Sequence, residues 1–346
     1  MSLVSVIRVY DFDQVCGSIK TFHIFCFPHP LPKLNIFPLP KLNIFGLNLF
    51  QGKLRDGRTV AVKRLSLEKS FQGESEFLAE VRMITNIQHK NLVRLLGCCS
   101  DGEQRLLVYE YMKNRSLDLI VYVLGNNNQF MDWNTRFQII LGIARGLEYL
   151  HEESPLRIVH RDMKASNVLL DDKFQPRISD FRLARFFPED QAYLSTTFAG
   201  TLGYTTLEYA IRGELSEKAD IYSFGVLLLE IICCRKNTNL NLPTEQQYHP
   251  EYAWKLYEKN KVNELIDLRL RKHGIVERDV VHVIHVAFLC IQSLANLRSP
   301  MSEVVAMLTC KANARVGQHS WTRGGEQKGA SLMMLSQKLS LLPWEY

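Results

Sequence analysis

Apolar positions along this chain follow two successive rhythms. The β-branched run Thr59-Val60-Ala61-Val62 reads as a strand. It follows Arg55-Asp56-Gly57-Arg58, where Asp-Gly marks a hairpin turn. Within residues 74–87, Phe77, Val81, Ile84 and Ile87 recur at helical spacing. Residues 92–96 and 106–111 are two further strand-like apolar runs. Helical periodicity then takes over. Residues 133–150 carry Ile139, Ile140, Ile143, Leu147 and Leu150 on one face. Residues 219–233 are almost wholly apolar and predict a buried central helix. Residues 280–293 and 301–308 predict two more helices. Strands followed by helices imply an α+β protein with a small antiparallel-sheet lobe and a larger, mainly helical lobe.

The first 45 residues break both rhythms. LPKLNIF occurs at 31–37 and again at 39–45, and prolines stand at 28, 30, 32, 38 and 40. Proline removes amide donors and fixes φ, so this stretch reads as an irregular leader. Two copies are too few for a solenoid, which needs about three. The chain therefore divides into a leader (1–45), a folded unit (46–310) and a tail (311–346), whose Gly324-Gly325 suggests a flexible link.

Charge narrows the function classes. The net charge of +6 divides into +2 in the leader, +3 in the tail and +1 in the folded unit. A nucleic-acid binder is expected to carry its basic face in the folded part, so no nucleic-acid partner is expected. The best apolar run, 224–229, stops at Glu230 and is too short to span a bilayer. The eight cysteines include Cys98-Cys99 and Cys233-Cys234 but no CxxC pair, which reads as reduced, mostly buried thiols.

The chemistry lies in short, ordered strings. Val60-Ala61-Val62-Lys63 puts a lysine on a strand, and Glu80 follows 17 residues later on the next helix. His160-Arg161-Asp162-Met163-Lys164-Ala165-Ser166-Asn167 comes next, then Asp180-Phe181-Arg182 and Thr206-Leu207-Glu208. In this order the strings resemble the protein-kinase set: VAIK, the αC glutamate, HRDxxxxN, DFG and APE. HKNLVRLLGCC, LLVYEYMKNRSLD, IARGLEYLHEES and EKADIYSFGVLLLEII are similar to the cytoplasmic portion of plant receptor-like serine/threonine kinases. The resemblance covers about 46–310.

What the resemblance implies can be set beside the chemistry. Phosphoryl transfer relies on positioning and charge neutralisation. Lys63 would face the α/β-phosphates of ATP, held by an ion pair with Glu80. Asp162 would accept the substrate hydroxyl proton, and Lys164 would steady the transferring phosphate. Asn167 and Asp180 would hold Mg²⁺, which prefers oxygen ligands. The resemblance divides the unit into an N-lobe (46–109), a hinge (110–113) and a C-lobe (114–310). Tyr109 would guard the back of the nucleotide pocket, and Leu49, Ala61 and Leu169 would be ATP-binding residues. Glu110 and Met112 would offer adenine backbone hydrogen bonds, and Asp118 would reach the ribose or stand as a surface aspartate or helix N-terminal charge. Ile84, Leu95, His160 and Phe181 fit an apolar stack that links the lobes.

Asp220 would hold the catalytic loop, and Glu208 would pair with Arg298. Arg161 suggests regulation by a phosphate in the activation segment, with Ser195, Thr196 and Thr197 as candidates. Thr201 would shape the substrate groove. Implied partners are protein substrates bearing Ser/Thr and other receptor-like kinases. The implied place is the cytoplasm, at the cytoplasmic face of the plasma membrane through those partners.

Two departures stand out. The GxGxxGxV loop is replaced by KLNIFGLNLFQGKL, which retains only Gly46 and Gly52. The repeat falls where the loop and the first strand belong, so that strand is expected to be missing and nucleotide binding impaired. DFG reads Asp180-Phe181-Arg182. A left-handed backbone at Arg182 would store about 1–2 kcal/mol of strain. The expected function is an ATP-dependent serine/threonine kinase. The alternatives are a pseudokinase that acts as a binding scaffold, and a chain with no stable N-lobe.

Overall fold

The computed structural model describes residues 35–38, 48–54, 56–65, 70–101, 104–123, 130–188 and 190–309. Five strands form one antiparallel sheet: β1 (Asn35–Pro38), β2 (Asn48–Lys53), β3 (Thr59–Leu65), β4 (Leu95–Asp101) and β5 (Gln104–Glu110). Their spatial order is β1-β2-β3-β5-β4. The turn between β2 and β3 closes as the Asp-Gly signal requires. Gly57 takes φ +87°, and Leu54 N–H donates to the Arg58 carbonyl at 2.8 Å.

The leader expectation is corrected at β1. Asn35–Pro38 overlap the first LPKLNIF copy and pair with β2, from Asn35 opposite Lys53 to Pro38 opposite Phe50. The first strand is therefore present, upstream of residue 46. Its prolines do not forbid this, because an edge strand pairs on one side only and Pro38 sits at its end. The second copy of the repeat and Gly46 lie outside the described residues.

Alternation along β3 fixes both faces of the sheet. Val60 and Val62 are wholly buried on one face with Leu106 and Val108, where Phe50 and Leu96 also pack. Ala61, Lys63 and Leu65 take the other face, toward helix α1 (Ser70–Thr85) and the main core. The apolar run at 92–96 is split. Leu92 bridges to Ile178 and Val93 N–H donates to the Ile178 carbonyl at 2.9 Å, while Leu95 opens β4.

The larger lobe is helical. It comprises α2 (Trp133–Glu148), α3 (Leu207–Arg212), α4 (Glu217–Cys233), α5 (His249–Glu258), α6 (Leu268–Lys272), α7 (Glu277–Cys290) and α8 (Met301–Thr309). Every residue from Ala219 to Ile232 of α4 is buried, as its composition predicts. A β-carbon at Gly225 would fall 2.7 Å from Cys290 Cβ, so glycine lets α4 and α7 close together. Short strand pairs tie the loops down: β6 (Ile158–Val159) with β9 (Arg185–Phe186), β7 (Val168–Leu170) with β8 (Pro176–Ile178), and β10 (Leu194–Ser195) with β11 (Glu214–Leu215). The small antiparallel sheet and the helical lobe form the predicted two-lobed arrangement.

Candidate active site

Lys63 leaves the inner face of β3 between the two lobes. Its Nζ donates to Glu80 Oε2 and to Asp180 Oδ1, both at 2.9 Å. Burial works against the ammonium, but the two carboxylates outweigh it and raise its pKa above the usual lysine value. Burial likewise opposes charge on Asp180. The Lys63 charge and then the Arg182 charge overcome it, holding the carboxyl at about 2. Tyr109 joins the cluster, its hydroxyl donating to Glu80 Oε1 at 2.5 Å. Burial and the Glu80 charge keep that phenol neutral.

The turn carrying Asp180 corrects one expectation. Arg182 is not left-handed; it lies in the 3₁₀ turn Phe181–Leu183. Near this site, left-handed backbone falls on Asp180, at φ +65° and ψ +68°, and, in the loop after β6, on Arg161, at φ +71°. Phe181 is fully buried and meets the His160 ring edge-on at 5.1 Å. Ile84 is buried beside them in the same core, and Leu95 packs against it.

The loop that follows β6 is held from below by α4. Asp220, fully buried, accepts the backbone N–H of His160 at 2.7 Å and of Arg161 at 2.8 Å. It also meets His151 Nε2 at 3.0 Å. So anchored, the loop presents three polar side chains together. Lys164 Nζ lies 2.8 Å from Asp162 Oδ2 and donates to Thr201 Oγ1 at 2.8 Å. Thr201 donates onward to Asp162 Oδ1 at 2.5 Å. Asn167 Nδ2 donates to Asp162 Oδ2 at 3.0 Å and to its carbonyl at 2.7 Å. Ser179 N–H and Oγ both bind the Asn167 carbonyl, which fixes that residue against the neighbour of Asp180.

Asn167 and Asp180 bring oxygen-bearing side chains to one locus. A carboxylate and an amide oxygen suit Mg²⁺, which keeps several waters and takes its remaining ligands from phosphate. Among the described residues there is no cluster of three or more His, Cys, Asp or Glu to hold a metal otherwise.

The expected base-binding residues come from both lobes and from the segment that joins them. Ala61 pairs with Tyr109 across β3 and β5, and Leu49 pairs through its backbone with Lys63. Leu169 lies in β7 and bridges to Ser116. Met112 is buried, and its carbonyl accepts from Arg115 N–H. Glu110 sends its side chain to Arg177 at 3.1 Å and to Arg94 N–H at 2.8 Å. Asp118 has a buried oxygen without a hydrogen-bond partner.

The segment after Asp180 surrounds Arg161. The guanidinium donates to Tyr209 OH, to the Leu183 carbonyl at 3.2 Å and to the Thr197 carbonyl at 2.9 Å. Its charge adds to burial in lowering the pKa of nearby Arg185. Ser195 and Thr197 are exposed and Thr196 is half-buried. Glu208 binds Arg298 through two contacts, at 2.6 and 3.3 Å. The Arg298 side chain is only 1% exposed, and further carbonyl partners include those of Lys218 and Gln292.

These positions fall within a stretch that comparison with protein families matches to protein tyrosine and serine/threonine kinase, over residues 45–308. The chain belongs to that kinase family. A probable LRR receptor-like serine/threonine-protein kinase of Arabidopsis thaliana is 51% identical over 261 residues, 75% of this chain and 25% of the relative. Cold-responsive protein kinase 1 of the same plant is 48% identical over 266 residues, 76% of this chain and 67% of the relative. Cysteine-rich receptor-like protein kinase 2 is 43% identical over 268 residues, 76% of this chain and 41% of the relative. The chain thus spans about a quarter of the length of the LRR relative. No helix among its described residues is long and apolar enough to cross a membrane.

In this kinase-family chain one polar cluster escapes the sequence reading. Glu230 of α4 is 1% exposed and accepts Tyr204 OH and Asn237 N–H, each at 2.7 Å. Burial outweighs these bonds and lifts its carboxyl to about 7. The only signal was one glutamate in an apolar run. Tyr109 is expected at the back of the nucleotide pocket; its bond to Glu80 has no sequence signature.

Proposed function

We propose that the chain transfers the γ-phosphoryl group of ATP to Ser/Thr hydroxyls of protein substrates. The observation that carries this reading is the double ion pair of Lys63. One ammonium joined at once to Glu80 and Asp180 is a site organised for phosphate and metal. In the reaction, the substrate hydroxyl oxygen forms a bond to the γ-phosphorus while the bond to the bridging oxygen breaks and releases ADP. Asp162 takes the hydroxyl proton. Lys164, beside it, neutralises charge on the transferring group, and Thr201 orients both. Lys63 balances charge on the remaining phosphates. Mg²⁺ on Asn167 and Asp180 would supply charge neutralisation at the transferred phosphate.

Nucleotide binding is weakened relative to a kinase with the full glycine loop, because one conserved-type GxGxxG cradle is absent from the sequence. Partners are Ser/Thr-bearing proteins and receptor-like kinases at the cytoplasmic face of the plasma membrane. Phosphate on Ser195, Thr196 or Thr197 would find the Arg161 and Arg185 charges nearby. A second reading, a scaffold without catalysis, is favoured by the arginine beside Asp180.

Purified chain with labelled ATP and a generic Ser/Thr substrate decides between them. Transfer above the Asp162→Asn control supports the kinase. Nucleotide binding without transfer supports the scaffold and refutes the kinase.

A further inference from the structure

Asp180 has two carboxylate oxygens with different neighbours. Oδ1 is taken by Lys63 at 2.9 Å. Oδ2 faces the guanidinium of Arg182, with Nη2 at 3.9 Å. Arg182 Nε is buried and has no hydrogen-bond partner, and at 3.9 Å Nη2 meets Asp180 by charge rather than through a hydrogen bond. Asn167 has committed its amide nitrogen to Asp162. The oxygens left for a cation are therefore those of the Asn167 amide and Asp180 Oδ2, and a positive charge already stands near the second.

Charge counting sharpens the point. Lys63 and Arg182 balance Glu80 and Asp180 one for one, so the cluster is neutral before any metal arrives. With glycine at position 182 the same cluster would carry one net negative charge. A divalent cation approaching Oδ2 meets repulsion where it would otherwise meet attraction, in a partly buried site where screening is weak.

We propose that Arg182 is a built-in competitor for the divalent cation at Asp180. Its guanidinium faces Oδ2 when metal is absent and swings away through its exposed side, 30% of the side chain, when metal binds. The chain thereby demands more divalent cation than its ligand set would otherwise need. This rests on the kinase reading for its purpose, but not for its test.

The test is Mn²⁺ binding to the full chain, followed by the electron paramagnetic resonance signal of free Mn²⁺. Binding that persists in Asp180→Asn lies elsewhere and is subtracted. Arg182→Gly, Arg182→Ala and Arg182→Gln should each tighten the Asp180-dependent Kd by roughly tenfold, equivalent to about 1.4 kcal/mol. Arg182→Lys should stay within about threefold of the parent. Circular dichroism melts confirm that the variants fold, and the Gln variant retains the side-chain bulk.

Equal affinity across the series, including no measurable binding in any member, overturns the proposal. Tightening in Arg182→Gly alone also overturns it, because backbone freedom rather than charge would then be responsible. A parallel titration with a non-hydrolysable ATP analogue separates this proposal from the kinase reading. If no variant binds the analogue with any metal, the kinase reading fails, while the Mn²⁺ series still decides the role of Arg182.

Discussion

Replacing Asp220 by alanine removes one carboxylate and leaves two buried backbone donors, His160 N–H and Arg161 N–H, with no acceptor. Each orphaned donor costs about 1–3 kcal/mol, and the lost His151 contact adds to this, so the variant should be destabilised by about 3–5 kcal/mol. The left-handed backbone of Arg161 also loses one of the bonds that hold it. Unfolding entropy is about 2.1 cal/mol/K per residue, or roughly 0.55 kcal/mol/K over some 260 residues, so Tm should fall by about 5–9 °C. Glu217→Ala is the control. It lies on the same helix, but its pair with Arg157 is partly exposed and is worth at most about 1 kcal/mol. Differential scanning calorimetry gives the shift. Hydrogen exchange gives the specific sign, a loss of protection at the amides of His160 and Arg161. A Tm drop under about 2 °C, or unchanged protection at those two amides, would refute the anchoring argument.

Two further outcomes follow from buried charge. Glu208→Ala leaves the Arg298 guanidinium buried without its counter-ion and should cost about 3 kcal/mol in urea unfolding. Adding Arg298→Met should recover at least half of that loss. Glu230 titrates at about 7 in the folded chain against about 4.5 unfolded. Between those values the folded state holds a proton that the unfolded state has released. Its contribution to stability therefore falls as pH rises from about 4.5 to 7, by up to about 3 kcal/mol, and is level above that. Glu230→Gln should lack this component, and urea midpoints measured from pH 4.5 to 8 would show it.

The sequence was most informative where chemistry is carried by contiguous strings. Lys63, Asp162, Lys164, Asn167 and Asp180 each sit in such a string, and the structure brings them to one locus. Glu80 was legible because a lone acid lies on the helix after the Lys63 strand. What escaped depends on three-dimensional pairing. Asn35–Pro38 looked unfit for a strand because proline statistics describe central strands, whereas β1 needs hydrogen bonds on one side only. The strain foreseen at Arg182 falls on Asp180 and Arg161 instead, since the turn places its left-handed residue two positions earlier. Arg136 is 1% exposed and binds Asp267 at 2.7 Å. Nothing in an amphipathic helix pattern separates such an arginine from a solvated one, because its partner lies 131 residues away.

Lys63 closes two loops of very different size. Its bond to Glu80 spans 17 residues and its bond to Asp180 spans 117. Closure entropy grows with the logarithm of loop length, which makes the longer contact more costly by about 1.7 kcal/mol. The Lys63–Glu80 pair can form as soon as β3 and α1 meet, within a locally connected piece of chain. The Asp180 contact, which spans both lobes, is expected to follow assembly of the helical lobe around α4. The closure costs predict a folding order: the lysine is neutralised first within its own lobe, and the second carboxylate then turns it into a link between lobes.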